Sequence, residues 1–95
     1  MNRKIASCVL QLALAAAIRI ENFKFDPPVI EVPAGAEVTW TNDDEEIHAL
    51  VADDGSFHSK AIDDKETFSH VFATPGTYAY RCSLHPHMTG KIVVH

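Results

Sequence analysis

Residues Thr77 to His95 read TYAYRCSLHPHMTGKIVVH, two short runs of strand character on either side of a segment dense in sulfur and imidazole. "TYAY" and "KIVVH" carry the aromatic and β-branched residues that suit a pleated, half-buried surface. Between them Cys82, His85 and Met88 stand at i, i+3 and i+6, with Pro86 and His87 inside the interval. A connection of this length can fold back so that all three side chains converge on one point. Pro86 restricts the backbone beside His85 and lowers the entropy lost in holding that shape.

The same texture extends toward the N-terminus. "IRIENFKF" alternates Ile18, Ile20 and Phe23, Phe25 with polar positions and reads as one strand, stopped by Pro27 and Pro28. "VIEV" from Val29 and "VTWTN" from Val38 to Asn42 are joined by a Pro-Ala-Gly turn, and "DDEE", Asp43 to Glu46, is a charged loop. A strand through Ile47, Leu50 and Val51 follows, then a "DDGS" turn at Asp53 to Ser56. "KAIDDKE" from Lys60 is an irregular connection with room for one helical turn, and "TFSHVF" from Thr67 alternates again up to the "TPG" turn at Thr74 to Gly76. No long run has helical spacing and no segment repeats. Seven or eight short strands with Gly and Pro turns specify an all-β domain, a sandwich or small barrel.

The first residues, "MNRKIASCVLQLALAAA", combine Arg3 and Lys4 with an apolar run from Ile5 to Leu14 and small residues at Ala15 and Ala17. This is the pattern of a secretory signal peptide over residues 1–17, cut after about Ala17, which leaves one domain over 18–95 in a periplasmic or secreted location. A retained apolar helix is the bland alternative. A membrane anchor is weaker, because Ile5 to Ile18 falls short of the roughly 17–25 apolar residues a span requires.

The 95-residue chain has a net charge of −5, and loss of Arg3 and Lys4 with the leader makes it −7. An acidic balance without a Lys/Arg run argues against nucleic acid and anionic membrane as partners. Cys8 departs with the leader, so Cys82 is then the lone thiol and no disulfide can form within the chain. A lone thiol in an oxidising compartment is a liability unless a metal or a partner cysteine occupies it. A domain this small also gains from a staple such as a metal.

A converging Cys82, His85 and Met88 would need one ligand from elsewhere, and His48, at the start of the strand after the acidic loop, is the candidate. Zinc accepts Cys and His, but a methionine is foreign to its usual sets. Copper accepts all four, and two histidines and a cysteine with a weak axial methionine form the blue-copper arrangement. Each residue also has a plainer reading. Cys82 alone would equally be a buried thiol, Met88 a core filler and His48 an interior histidine. His87 is expected at the rim of the site, Trp40 in the core, and His58, His70 and His95 in structural or surface roles.

"TYAYRCSLHPHMTGKIVVH", preceded by "VTWTN" and His48, resembles the cupredoxins, and the Cys-x-x-His-x-x-Met spacing is similar to the short ligand loop of their amicyanin and plastocyanin-like members. The resemblance covers nearly all of 18–95. It implies a Greek-key β-sandwich with one type 1 copper held by His48, Cys82, His85 and Met88. It implies a monomeric single-electron carrier, not an enzyme, that docks redox partner proteins transiently near His85, where Leu84 and Pro86 give an apolar rim. Two positions depart from the family pattern: Ala49 stands where many members have Asn or Ser tying the ligand loops together, and Ile47 where amicyanin-like chains have Pro. Asp43 to Glu46 is read as a solvated loop, with docking as the alternative. Two other functions fit parts of the set. A copper storage or delivery protein would also use Met and His, and a thiol enzyme would use Cys82 with His48 or His85 but would need an oxyanion pocket for which the sequence has no sign.

Overall fold

The computed structural model describes residues 14–95 and contains eight strands and no helix among them. In chain order these are β1 (Ala15–Glu21), β2 (Lys24–Asp26), β3 (Val29–Val32), β4 (Ala36–Asn42), β5 (Leu50–Ala52), β6 (Thr67–Phe72), β7 (Gly76–Cys82) and β8 (Thr89–Val94). They form two four-stranded sheets of order β2-β1-β4-β6 and β3-β8-β7-β5. The pairs β1·β4 and β3·β8 are parallel and the others antiparallel. This is the Greek-key sandwich that the cupredoxin resemblance implies, and of the two forms the strand spacing allowed it is the sandwich and not the barrel.

The inward set follows the period-two pattern. On β4 the buried positions are Ala36, Val38, Trp40 and Asn42, and they face Tyr80, Cys82, Ile92 and Val94 from the opposite sheet across one core. Trp40 lies at its centre, with ring centroids 5.4 to 6.4 Å from Tyr80, Phe57, Phe68 and Phe72. Its Nε1–H donates to the Tyr80 hydroxyl at 3.1 Å, an inter-sheet bond inside apolar surroundings. Burial pushes the Tyr80 phenol well above its ordinary ionisation range, so it remains neutral at any physiological pH.

Two local readings change. "IRIENFKF" is a hairpin, because Asn22 and Phe23 both have positive φ, 55° and 58°, and form a two-residue turn between Glu21 and Lys24. The parity break between Ile20 and Phe23 marks it: the register pairs Ile20 with Phe25, both inward, and leaves Phe23 at the turn. A phenylalanine in the left-handed region costs roughly 1–2 kcal/mol, so something outside the hairpin must hold it there. The connection from Lys60 forms no helical turn. Ile62 bridges to His48 instead, and the chain reverses at Asp63 to Glu66, where Glu66 N–H donates to the Asp63 carbonyl at 2.9 Å.

The Pro-Ala-Gly turn carries the chain from one sheet to the other. Gly35 there has φ 95° and donates its N–H to the Phe72 carbonyl at 2.7 Å, a conformation open to glycine alone without strain. The expected leader, residues 1–17, falls mainly outside the described residues, and its last three, Ala15 to Ala17, pair with Glu37 to Thr39 as the first rungs of β1.

Gly90 on β8 is opposite Tyr80 in the β7 register, and a Cβ there would lie 2.8 Å from Tyr80 Cε1 and closer still to the hydroxyl end of the ring. Overpacking of this kind costs about 1–3 kcal/mol, because the ring is held by its bond to Trp40. Gly90→Ala is therefore expected to lower the unfolding free energy by that margin, read as a lower urea midpoint, and an unchanged midpoint would mean that Tyr80 has room to move.

Candidate metal centre

All four candidate ligands lie at one end of the sandwich. Cys82 is the last residue of β7 and pairs with Leu50 at the start of β5, which brings the chain just after His48 beside the thiol. His48 is fixed by a two-way backbone bridge: its N–H donates to the Ile62 carbonyl at 3.1 Å and its carbonyl accepts from Ile62 N–H at 2.7 Å. The ligand loop closes on itself, since Met88 N–H donates to the His85 carbonyl at 2.9 Å and Cys82 N–H to the Met88 carbonyl at 3.1 Å. Ser83 N–H donates to the Ala49 carbonyl at 2.8 Å, so the backbone joins the two ligand segments where Ala49 has no side chain to do so.

His48 and Cys82 are both fully buried, and Cys82 Sγ lies 3.6 Å from His48 Nδ1. His85 is half-buried, its ring centroid 5.3 Å from that of His48, and Met88 is buried. Among the described residues no group of three or more His, Cys, Asp or Glu side chains is placed to hold a metal ion. His87 is exposed, with its ring 6.4 Å from that of His85, as a rim residue should be.

The donor set fits copper better than any other ion. A fully buried imidazole nitrogen has only a thiol, a weak hydrogen-bonding group, as its 3.6 Å partner. A cysteine sulfur beside an imidazole nitrogen, with a second imidazole and a thioether in the adjoining loop, matches the soft donor set that copper takes.

Residues that sequence reasoning passed over hold this arrangement. Asn42, buried at the end of β4, donates from Nδ2 to the carbonyls of Glu46 and Ile62, both at 2.9 Å, and its Oδ1 accepts from Asp44 N–H at 2.8 Å. It thereby fixes both ends of the loop that delivers His48. Asp44 Oδ2 lies 2.9 Å from His48 Nε2. An ionised carboxylate only accepts, so Nε2 is the donor in this bond, and Nδ1 is the nitrogen that faces Cys82. Phe23 packs edge-on against both imidazoles. The sequence signals were the inward parity of Asn42, an acid four residues before His48, and the parity break at Phe23.

The acidic run is thus not simply a solvated loop. Asp43 pairs with Arg19 at 2.9 Å and Lys65 at 3.5 Å, Asp44 binds His48, and only Glu45 and Glu46 are exposed. The hydrogen bond from Arg19 holds the Asp43 carboxyl below its ordinary value. Desolvation alone would raise Asp44, but the N–H groups of Phe23 and Asn22 and the His48 ring outweigh it and lower this carboxyl too. A folded value below the unfolded one contributes stability that is complete above the ordinary 3.8 and is lost as pH falls through the lowered folded value. The metal-free protein is expected to lose stability below that point, and Asp43→Asn to flatten the loss in denaturant titrations at pH 5 and about pH 3.

A two-sheet Greek-key sandwich with a buried His and Cys pair at one end, beside a Cys-x-x-His-x-x-Met loop, defines a small β-sandwich protein with a candidate metal centre. A family model described as a cupredoxin-like domain matches residues 11–94. The chain is 37% identical over 82 residues to amicyanin-alpha of Methylorubrum extorquens, covering 81% of this chain and 69% of that one. To amicyanin of Paracoccus denitrificans it is 32% identical over 85 residues, covering 84% of this chain and 65% of that one, so it spans about two thirds of these relatives' length. A solved structure of an amicyanin mutant in its Cu(I) form superposes with a TM-score of 0.79 at 30% identity, covering 85% of this chain and 82% of that one. The chain belongs to the cupredoxin-like family, and its similarity within that family is to amicyanins.

Proposed function

We propose that this protein is a type 1 copper protein that carries single electrons in the periplasm or outside the cell, with His48, Cys82, His85 and Met88 as the ligands. The observation that supports it most is the buried contact of His48 Nδ1 with Cys82 Sγ at 3.6 Å, at the end of the sandwich where the ligand loop folds back. Copper held there would supply a one-electron Cu(II)/Cu(I) couple. The chain's own part is to keep the donors in place so that little moves when an electron arrives. The His48 bridge to Ile62, the Ser83 bond to Ala49 and the self-closed ligand loop all serve that end.

His85 is the ligand placed nearest the surface, and exposed Leu84, Phe23 and Ile47 lie next to it or to His48. Such an apolar rim suits transient docking of a redox partner protein to a monomer, since encounters of this kind use small interfaces. Residues 1–17 act as the export leader in this reading, and cleavage after about Ala17 leaves β1 to begin at Ile18, opposite Trp40. No helix among the described residues is long and apolar enough to cross a membrane. The carrier transforms no substrate.

Copper-loaded protein is expected to show an intense visible thiolate-to-Cu(II) band that a mild reductant bleaches and an oxidant restores. A colourless Cu(I) form that hands its metal to an acceptor would replace this reading with storage or delivery. Rapid alkylation of Cys82 in the loaded protein would count against coordination altogether.

A further inference from the structure

The Asp44 carboxylate accepts three hydrogen bonds, from Asn22 N–H at 2.7 Å, Phe23 N–H at 2.9 Å and the His48 ring at 2.9 Å. The two amides come from adjoining residues with positive φ, a turn conformation that directs successive N–H groups at one anion. The turn they form sets the Phe23 ring edge-on to His48, with centroids 5.4 Å apart and planes at 80°. The same ring meets His85 at 5.0 Å and 85°. One carboxylate therefore ties together the ring of one candidate ligand and the turn that walls both.

The identity of residue 23 is the informative point. An Asn-Gly pair would make the same two-residue turn without strain. A bulky side chain in the left-handed region is an outlier that persists only where its surroundings over-determine it. The hairpin has no use for the phenyl ring, which is partly exposed and contributes little to the core. What the ring does touch is the pair of imidazoles.

We infer that Asp44 and the β1–β2 turn it clamps form a brace that orients both imidazoles before any metal arrives, with Asp44 fixing the ring of His48 and Phe23 acting as the positioning residue for His85. The inference rests on the ligand assignment proposed above, but the brace belongs to the metal-free protein and can be read there. Outer partners of this kind set ligand orientation and tautomer, and their loss weakens metal retention about 10- to 100-fold.

Ring nitrogen-15 shifts of His48 in the metal-free protein make the first measurement. Wild type is expected to show a protonated Nε2 and a bare Nδ1, and Asp44→Ala a mixture of tautomers, with Asp44→Asn between them because it retains one acceptor. The second measurement uses Phe23→Gly, which relieves the backbone strain and removes only the ring. Its metal-free thermal stability should match or exceed wild type, yet copper should pass to a chelator about 10- to 100-fold faster, with Phe23→Leu restoring part of the retention. A purely structural hairpin would give the stability result without the copper result.

An unchanged His48 tautomer in Asp44→Ala, or copper loss from Phe23→Gly within about twofold of wild type, would overturn the inference. Wild-type protein that takes up no copper would instead overturn the proposed function, and the tautomer measurement would still decide on the brace. If Asp44→Ala does not fold, Asp44→Asn carries that arm.

Discussion

Cys82→Ser should abolish the intense visible absorption of the copper-loaded protein while leaving the fold in place. The band requires a thiolate bound to Cu(II), and a serine hydroxyl does not ionise near neutrality to replace it. Cys82 is fully buried at the end of β7, and the smaller serine side chain would point at His48 Nδ1, where the sulfur now lies at 3.6 Å. That nitrogen can accept from the new hydroxyl, so the buried polar group finds a partner and the cost to the metal-free fold stays near about 1 kcal/mol. The expected pattern is complete loss of colour with a nearly native circular dichroism spectrum and urea midpoint. Retained colour in the serine variant would remove Cys82 from the ligand set and the copper-carrier reading with it.

A second substitution should do the opposite, damaging the fold while leaving all four donor side chains intact. Trp40→Ala empties the middle of the core, where the indole is fully buried and contacts Phe57, Phe68, Phe72 and Tyr80. Truncations of this size cost about 3–5 kcal/mol, and the lost Nε1–H also strands the buried Tyr80 hydroxyl. Small domains have a total stability of only about 5–15 kcal/mol, so the loss is a large share of the whole. Urea titration of the metal-free protein measures it. Trp40→Phe keeps most of the ring volume and loses the donor, and should cost clearly less. A loss below about 1 kcal/mol for the alanine variant would mean that the core collapses around the gap.

The two outcomes separate what sulfur does from what packing does. Cys82 belongs to both the apolar core and the ligand loop, because β7 runs from the Tyr80 and Trp40 contact straight into the site. Damage at Trp40 should therefore reach the metal end through β7, and through Asn42 at the end of β4, as a broader rather than an absent copper band.

Much of the architecture was legible in the chain because period-two burial leaves a direct mark on composition. Val38 and Trp40, Ile18 and Ile20, and Tyr80 and Cys82 alternate with polar neighbours, and all six are buried. The errors came where turn chemistry was unusual. Asn-Phe is a poor advertisement for a tight hairpin, since its second residue normally avoids positive φ, so β1 and β2 merged into one strand on paper. "KAIDDKE" read as an irregular connection with room for a helical turn, because a local stretch cannot register a bridge as remote as Ile62 to His48.

The candidate site divides in the same way. Cys82, His85 and Met88 share one short loop, so their proximity follows from spacing, and their soft donor chemistry points to copper from residue identity alone. The place of His48 beside Cys82 follows from β5 pairing with β7, a contact between segments more than thirty residues apart. The functions of Asn42, Asp44 and Phe23 were hidden for a further reason. A buried amide that shapes a loop, a carboxylate that orients an imidazole and a ring that walls it are defined by the direction of a hydrogen bond or a ring face. Sequence determined the sandwich and the nature of the donors, because burial period and ligand chemistry are local properties. Only the tertiary structure decided which nitrogen of His48 faces the sulfur and what holds it there, because orientation arises from contacts between distant segments.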